Sequence, residues 1–276
     1  MQINHLTIND LTTPYVTVGN GDPVVLVHGA LADHRMWIPH CEYLSANYQT
    51  IALTQRYFGQ PPLTDESHQF GISVHYQDIV TFIEQLEVAP VHLVGWSYGA
   101  DIVLNVAVNR PDLLKSVFLY ELGFPSYVED EQALKRFGQD AEAMFSPVFA
   151  AVAEGDLRAG VERLLDGSSQ KQGYFNAQPE VFKQQQLENA HTLPLQLSQL
   201  APPILSPADL RGVMLPVCVA VGERTRLLFK IVAEAAAQSL ANCEYLIVAD
   251  VGHLFPIEEP REFVVHLDTF FNKSKT

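Results

Sequence analysis

The stretch Val91-His92-Leu93-Val94-Gly95-Trp96-Ser97-Tyr98-Gly99-Ala100 decides how this chain is read. An apolar run of strand length ends at Gly95, and a helix-like segment follows from Ala100 to Asn109, so Ser97 falls on a strand-turn-helix junction. Glycines two before and two after the serine suit a strained turn, because strand and helix approach closely only where no Cβ intervenes. A Gly-x-Ser-x-Gly match arises by chance in many chains; the setting is what makes Ser97 a candidate nucleophile.

Outward from that junction, short β-rich runs alternate with helical stretches. This is the order of a doubly wound, mostly parallel sheet with helices on both faces, an α/β class. Strands are expected over 24–27, ending at His28-Gly29-Ala30, and over 50–53, 91–94, 117–120, 217–221 and 245–248. Helices are expected over 77–87, with apolar residues at a helical period, and over 101–110, stopped by Pro111. Between Gly123 and Pro207 the alternation gives way to helical segments over 130–137, 140–154, 156–165 and 179–192, and then to Pro202, Pro203 and Pro207. The chain therefore divides into a core of residues 1–122 and 206–276 and an inserted helical cap of residues 123–205. Open α/β sheets bind ligands at the C-terminal ends of their strands, so the cap is expected to cover that edge. Its Met144, Phe145, Phe149, Tyr174 and Phe175 are candidates to line a pocket there.

Composition narrows the partners. With 47% hydrophobic residues, 276 residues can bury a sizeable core, and 32 acidic against 17 basic residues give a formal charge of −15. Such a surface repels nucleic acid and anionic membrane, which leaves a small neutral or hydrophobic substrate as the expected partner. Cys41, Cys218 and Cys243 are odd in number and lack metal-ligand or Cys-x-x-Cys spacing, so free thiols in a reducing compartment are expected. The opening residues from Met1 to Asp10 show no basic, long apolar leader and no transmembrane span or lipidation motif, and a cytoplasmic location is the expectation. No dinucleotide or phosphate loop follows the first strand and no metal-binding spacing appears, so neither a cofactor nor a metal is expected.

The chain resembles the α/β-hydrolase superfamily at several stations in order: the His28-Gly29 turn, Arg56 with Gly59, the Gly95–Gly99 turn, and Gly252-His253 near the C-terminus. The resemblance implies a triad in the order serine, acid, histidine. It assigns the nucleophile to Ser97, the general base to His253, and an oxyanion hole to the backbone amides of Ala30 and Tyr98, with His28 bracing the oxyanion loop. Residue chemistry agrees, since a serine hydroxyl needs a base within hydrogen-bond reach and an imidazole titrates near neutrality. His34, Trp37 and Trp96 are candidates for the pocket border. Where the family form is Arg-Gly-x-Gly, Tyr57 replaces the first glycine.

The acid departs from the common pattern. After the strand over 217–221, hydrolases of this type usually read Gly-x-x-Asp, but here Gly222-Glu223-Arg224-Thr225 puts a threonine in the aspartate's place. Two carboxylates are in view. Glu121 ends the strand over 117–120, an arrangement similar to that of haloalkane dehalogenases and coelenterazine-using luciferases, and is the favoured acid. Glu223 is the alternative. Because the nucleophile is serine and not aspartate, attack on an acyl carbon is the expected chemistry. Esters, lactones and thioesters lead the substrate classes, and the carbon-carbon bond of a hydrophobic metabolite is the second enzymatic reading. A non-catalytic small-molecule-binding protein is the reading of another class, raised by Thr225. The cap surface is also open to a homodimer contact.

Overall fold

The computed structural model describes residues 1–9, 11–59, 69–200 and 202–274. Eight strands form one sheet: β1 (Ile3–Ile8), β2 (Leu11–Val18), β3 (Asp22–Val27), β4 (Tyr48–Leu53), β5 (Val91–Trp96), β6 (Leu114–Tyr120), β7 (Val217–Gly222) and β8 (Cys243–Val248). Their order across the sheet is β1-β2-β4-β3-β5-β6-β7-β8. From β4 to β8 the neighbours run parallel. The strands β5 and β7 are buried at every residue, as continuous apolar runs covered on both faces must be. The hairpin β1–β2 is antiparallel and joins the sheet through β2 against β4. Sequence reading places no strand before residue 24, because β1 is an edge strand whose alternate residues face solvent and which therefore lacks a continuous apolar run.

Helices α1 (Ile38–Leu44), α2 (Ile72–Gln85) and α3 (Tyr98–Asn109) follow the first strands in turn. The insertion between β6 and β7 supplies α4 (Glu131–Ala153), α5 (Leu157–Ser169), α6 (Tyr174–Ala177), α7 (Glu180–Glu188) and α8 (Leu193–Leu197). Then come α9 (Pro207–Arg211), α10 (Leu227–Ser239), α11 (Phe255–Glu258) and α12 (Pro260–Lys273). One apolar layer joins α2, α3 and α10 to the sheet through residues such as Phe82, Ile102 and Val232. The opposite face is closed by α1 and α12 through Cys41, Leu44, Phe263 and Leu267. Among the described residues, no helix is long and apolar enough to cross a membrane.

Several boundaries differ from the sequence reading. α2 starts at Ile72, five residues before the expected 77, because Ile72 and His75 are buried and extend the apolar face. The helices expected over 130–137 and 140–154 are one helix of 23 residues. Gly138 between them has no heavy atom within 4 Å of a would-be Cβ, so it lowers helix propensity by about 1 kcal/mol without breaking the helix. The stretch expected as one helix over 179–192 is α7 followed by a separate 3-10 turn, Ala190–Thr192.

Two groups of side-chain contacts are prominent among those that fasten the insertion to the core. Arg226, just before α10, donates to Asp140 Oδ1 of α4 at 2.6 Å and to the Gly167 carbonyl of α5 at 3.0 Å. Asp33, in the loop after β3, accepts Gln185 Nε2 at 2.7 Å and Asn189 Nδ2 at 3.0 Å. With Arg35 also donating to it, the Asp33 carboxyl is held well below the usual carboxylate range.

Candidate active site

Ser97 stands between β5 and α3 with φ 55° and ψ −124°, a left-handed conformation that a non-glycine residue adopts only where its surroundings enforce it. The enforcement is steric. A Cβ on Gly95 would lie 2.5 Å from the Gly99 carbonyl oxygen, and one on Gly99 would lie 2.4 Å from that of His28. Only glycine at both positions lets β5, α3 and the loop after β3 pack this closely. The Ser97 amide donates to the Tyr120 carbonyl at 2.9 Å, tying the turn to the end of β6.

His253 follows β8 at the end of the neighbouring strand pair. Its Nε2 lies 3.1 Å from Ser97 Oγ, and its Nδ1 lies 2.6 Å from Glu121 Oε2. An ionised carboxylate only accepts, so Nδ1 carries the proton and Nε2 is left to accept from the serine hydroxyl. The ring is held flat against Phe229, with centroids 4.1 Å apart and planes 10° apart. Its backbone is fixed as well: Trp96 Nε1 donates to the His253 carbonyl at 2.9 Å, and the Tyr120 hydroxyl donates to the Gly252 carbonyl at 2.7 Å.

Glu121 has no exposed surface and sits at φ 58°, a second residue in left-handed conformation beside the same turn. Its Oε1 accepts the Gly222 amide at 2.9 Å, and its Oε2 accepts Thr225 Oγ1 at 2.6 Å as well as His253. Thr225, in the place where Gly-x-x-Asp would put the acid, therefore donates to the carboxylate that reaches the histidine. Glu223, the alternative acid, is exposed and accepts the Asp250 amide at 3.0 Å, tying the loop after β7 to the loop after β8, while the two ring nitrogens of His253 face Glu121 and Ser97.

Ala30 and Tyr98 both line the cavity in front of Ser97. Tyr98 is the first residue of α3, where helix amides lack intrahelical partners. Its side chain is taken up elsewhere, with the hydroxyl 2.8 Å from His75 Nδ1, so only its amide is available to the site. Behind Ala30, His28 accepts the Gln55 amide at Nε2 (3.0 Å), which leaves Nδ1–H to donate to the Gly29 carbonyl (2.8 Å). Complete burial pushes the His28 imidazole down to about 4 and keeps this brace neutral.

The cavity measures about 420 Å³ and is walled mainly by apolar side chains, among them Leu31, Phe124, Phe137, Met144 and Phe229. Trp96, Phe145 and Phe149 line it as expected. Four expected residues do not. Trp37 is fully buried and packs edge-on against His40, while His34 Nδ1 lies 2.6 Å from Thr54 Oγ1 behind the loop. Phe175 is fully buried inside the insertion, and Tyr174 packs beside it on the same side of the sheet as α12. Tyr57 takes φ 71° in the loop where the family form has glycine and packs against Phe70, so its substitution alters the loop and not the cavity wall. Among the described residues, no three His, Cys, Asp or Glu side chains group as a metal site requires.

The alpha/beta hydrolase family model matches residues 24–267, a span that contains the Gly95–Gly99 turn, Glu121 and His253. The chain belongs to the alpha/beta hydrolase family. Over 265 residues it is 27% identical to "Putative non-heme bromoperoxidase BpoC" of Mycobacterium tuberculosis, covering 93% of this chain and 96% of that protein. It is 36% identical over 111 residues to (E)-2-((N-methylformamido)methylene)succinate hydrolase of Acinetobacter baylyi, a match to 39% of this chain and 40% of that enzyme. Among solved structures, a thermophilic esterase from Thermogutta terrifontis superposes over the full length of both chains with a TM-score of 0.72 at 20% identity, a likeness of fold.

Sequence reading missed three features of this hydrolase-fold site. Phe229 stacks on the histidine, and only its place in the helix after β7 could have suggested it. Thr225 reads as a lost acid, and its use as a donor to Glu121 depends on two strand ends meeting. Asp101 is the one charged residue of α3, four residues after Ser97, and lines the cavity. A lone carboxylate one helical turn after Ser97 was the available signal.

Proposed function

We propose that the protein is a serine hydrolase of small neutral or hydrophobic carboxylic esters, lactones or thioesters. One observation carries the reading: a continuous relay from Ser97 through His253 to the buried Glu121, 3.1 and 2.6 Å long, at the floor of an apolar cavity. Ser97 Oγ attacks the acyl carbon as Nε2 of His253 takes its proton, and the Glu121 carboxylate stabilises the imidazolium. The amides of Ala30 and Tyr98 hold the developing oxyanion, an interaction worth about 3 kcal/mol for each donor. His253 then returns its proton to the leaving alcohol, and a water activated by the same ring cleaves the acyl-enzyme. Thr225 and the Gly222 amide keep Glu121 oriented by hydrogen bonding to its two oxygens. A small-molecule-binding protein that has given up catalysis has no need to keep this carboxylate aligned on the histidine. The helical insertion acts as the lid of the cavity.

Hydrolysis of p-nitrophenyl acetate and butyrate by wild type and Ser97→Ala tests the reading. Turnover that disappears in Ser97→Ala, with circular dichroism unchanged, is the expected outcome. Absence of Ser97-dependent turnover on either ester counts against a general esterase and favours the carbon-carbon hydrolase or binding readings.

A further inference from the structure

The cavity in front of Ser97 contains one carboxylate that the acyl-transfer steps leave unused. Asp101 is 3% exposed and lines the cavity from the first turn of α3. Its Oδ2 accepts the Gly123 amide at 3.0 Å, and its Oδ1 accepts the Phe124 amide at 3.2 Å. A carboxylate offers about four acceptor positions, so each oxygen keeps one unused. No lysine or arginine lines the cavity, and Asp101 is its sole carboxylate among the described residues. Burial pushes the Asp101 carboxyl up to about 7, and only the two amides pull it back. An acid so placed lacks a cationic partner in the protein, and a ligand that brings one relieves the desolvation of the charged form.

The distance to the nucleophile limits where that partner sits on a substrate. The Asp101 amide donates to the Ser97 carbonyl at 3.3 Å, which sets the two residues one helical turn apart, about 6 Å along the axis. A group near Asp101 is then within a few bonds of a carbonyl carbon in reach of Ser97.

We propose that Asp101 is a specificity-determining residue that selects esters carrying a protonated amine close to the scissile carbonyl and turns away esters carrying a carboxylate. The proposal rests on the serine-hydrolase reading above. The apolar walls take the hydrocarbon part of such a substrate, and the single carboxylate takes its N–H donor. A carboxylate brought into the same space meets Asp101 with no cation between them, and like charges at close range in a desolvated site repel strongly.

Two pairs of esters differ by little more than a protonated nitrogen against carbon: alanine ethyl ester with ethyl isobutyrate, and 2-(dimethylamino)ethyl butyrate with 3-methylbutyl butyrate. The first pair puts the amine on the acyl side, the second on the alcohol side. In pH-stat assays, wild type is expected to show kcat/KM about 10- to 100-fold higher for the ammonium member of one pair, the range of a hydrogen bond to a charged group. In Asp101→Asn, or in Asp101→Ser if the first does not fold, that ratio is expected to fall to near one. A carboxylate that only straps Gly123 and Phe124 to α3 lowers both rates together and leaves the ratio unchanged, which overturns the assignment. Ser97-dependent turnover of the neutral esters with no preference in either pair overturns the proposal and leaves the hydrolase reading standing. If no ester is turned over through Ser97, both fall.

Discussion

Glu121→Gln keeps the length and volume of the side chain and removes its charge and one acceptor. Three donors converge on the native carboxylate: Gly222 N at 2.9 Å on Oε1, and Thr225 Oγ1 and His253 Nδ1 at 2.6 Å on Oε2. Glutamine has a single oxygen for all three. If that oxygen turns to Gly222, the amide NH₂ faces His253, and the ring must accept at Nδ1 and carry its proton on Nε2, where it cannot take the proton of Ser97. If it turns to His253, the NH₂ confronts the Gly222 amide in a site without solvent, which costs about 1–3 kcal/mol for the unmet donors. Neither arrangement restores the negative charge beside the imidazolium. The corresponding change in the well-studied serine protease triad lowers kcat about 10⁴-fold, or about 5.4 kcal/mol of barrier. The same loss is expected here for p-nitrophenyl butyrate, with native circular dichroism. Glu223→Gln, on an exposed side chain that accepts the Asp250 amide, is expected to stay within about twofold of wild type. Activity of Glu121→Gln within tenfold of wild type, or an equal loss in Glu223→Gln, refutes the reasoning.

Further outcomes follow from other parts of the fold. Adding Thr225→Asp to Glu121→Gln is expected to recover part of the lost kcat, because Thr225 Oγ1 lies 2.6 Å from the oxygen that meets His253; no recovery counts against that adjacency being functional. Burial depresses the imidazoles of His28 to about 4 and of His40 and His75 to about 3, against an ordinary 6.5. They are neutral when folded and protonated when unfolded, so below about pH 6.5 the unfolded chain binds more protons. Stability should then fall by about 1.4 kcal/mol per histidine per pH unit until the folded values are reached, as urea titrations across this range will show; a flat profile contradicts it. Arg226→Ala should cost about 2–4 kcal/mol in urea unfolding and loosen the insertion, since it leaves the mostly buried Asp140 without its cation. Gly99→Ala should cost about 3 kcal/mol or more, seen as lost soluble protein or a lowered Tm, because its Cβ meets the His28 carbonyl oxygen at 2.4 Å.

Much of this architecture could be read in the sequence because it depends on local signals. The buried central strands are continuous apolar runs, and the glycines flanking Ser97 mark a turn that only glycine permits. His253 is singled out among ten histidines by a Gly-His loop after a late strand. The edge strand β1 escaped because half its residues face water and carry no apolar run. The acid was legible as two candidates and no further. Choosing between Glu121 and Glu223 requires the relation of β6 to β7 and the direction of each side chain, which no local pattern contains. The helical insertion illustrates the same limit: its helices show in the periodicity, yet Met144 and Phe149 face the cavity while Phe175 packs inward, and only the packed structure separates them.

The most direct test of the central claim is the rate at which a fluorophosphonate labels wild type, Ser97→Ala and Glu121→Gln, read by intact mass and by mapping the modified peptide. The account expects one adduct on Ser97 in wild type, none in Ser97→Ala, and labelling slowed by orders of magnitude in Glu121→Gln. An unlabelled wild type, or equal rates in wild type and Glu121→Gln, would contradict a serine activated through His253 and Glu121.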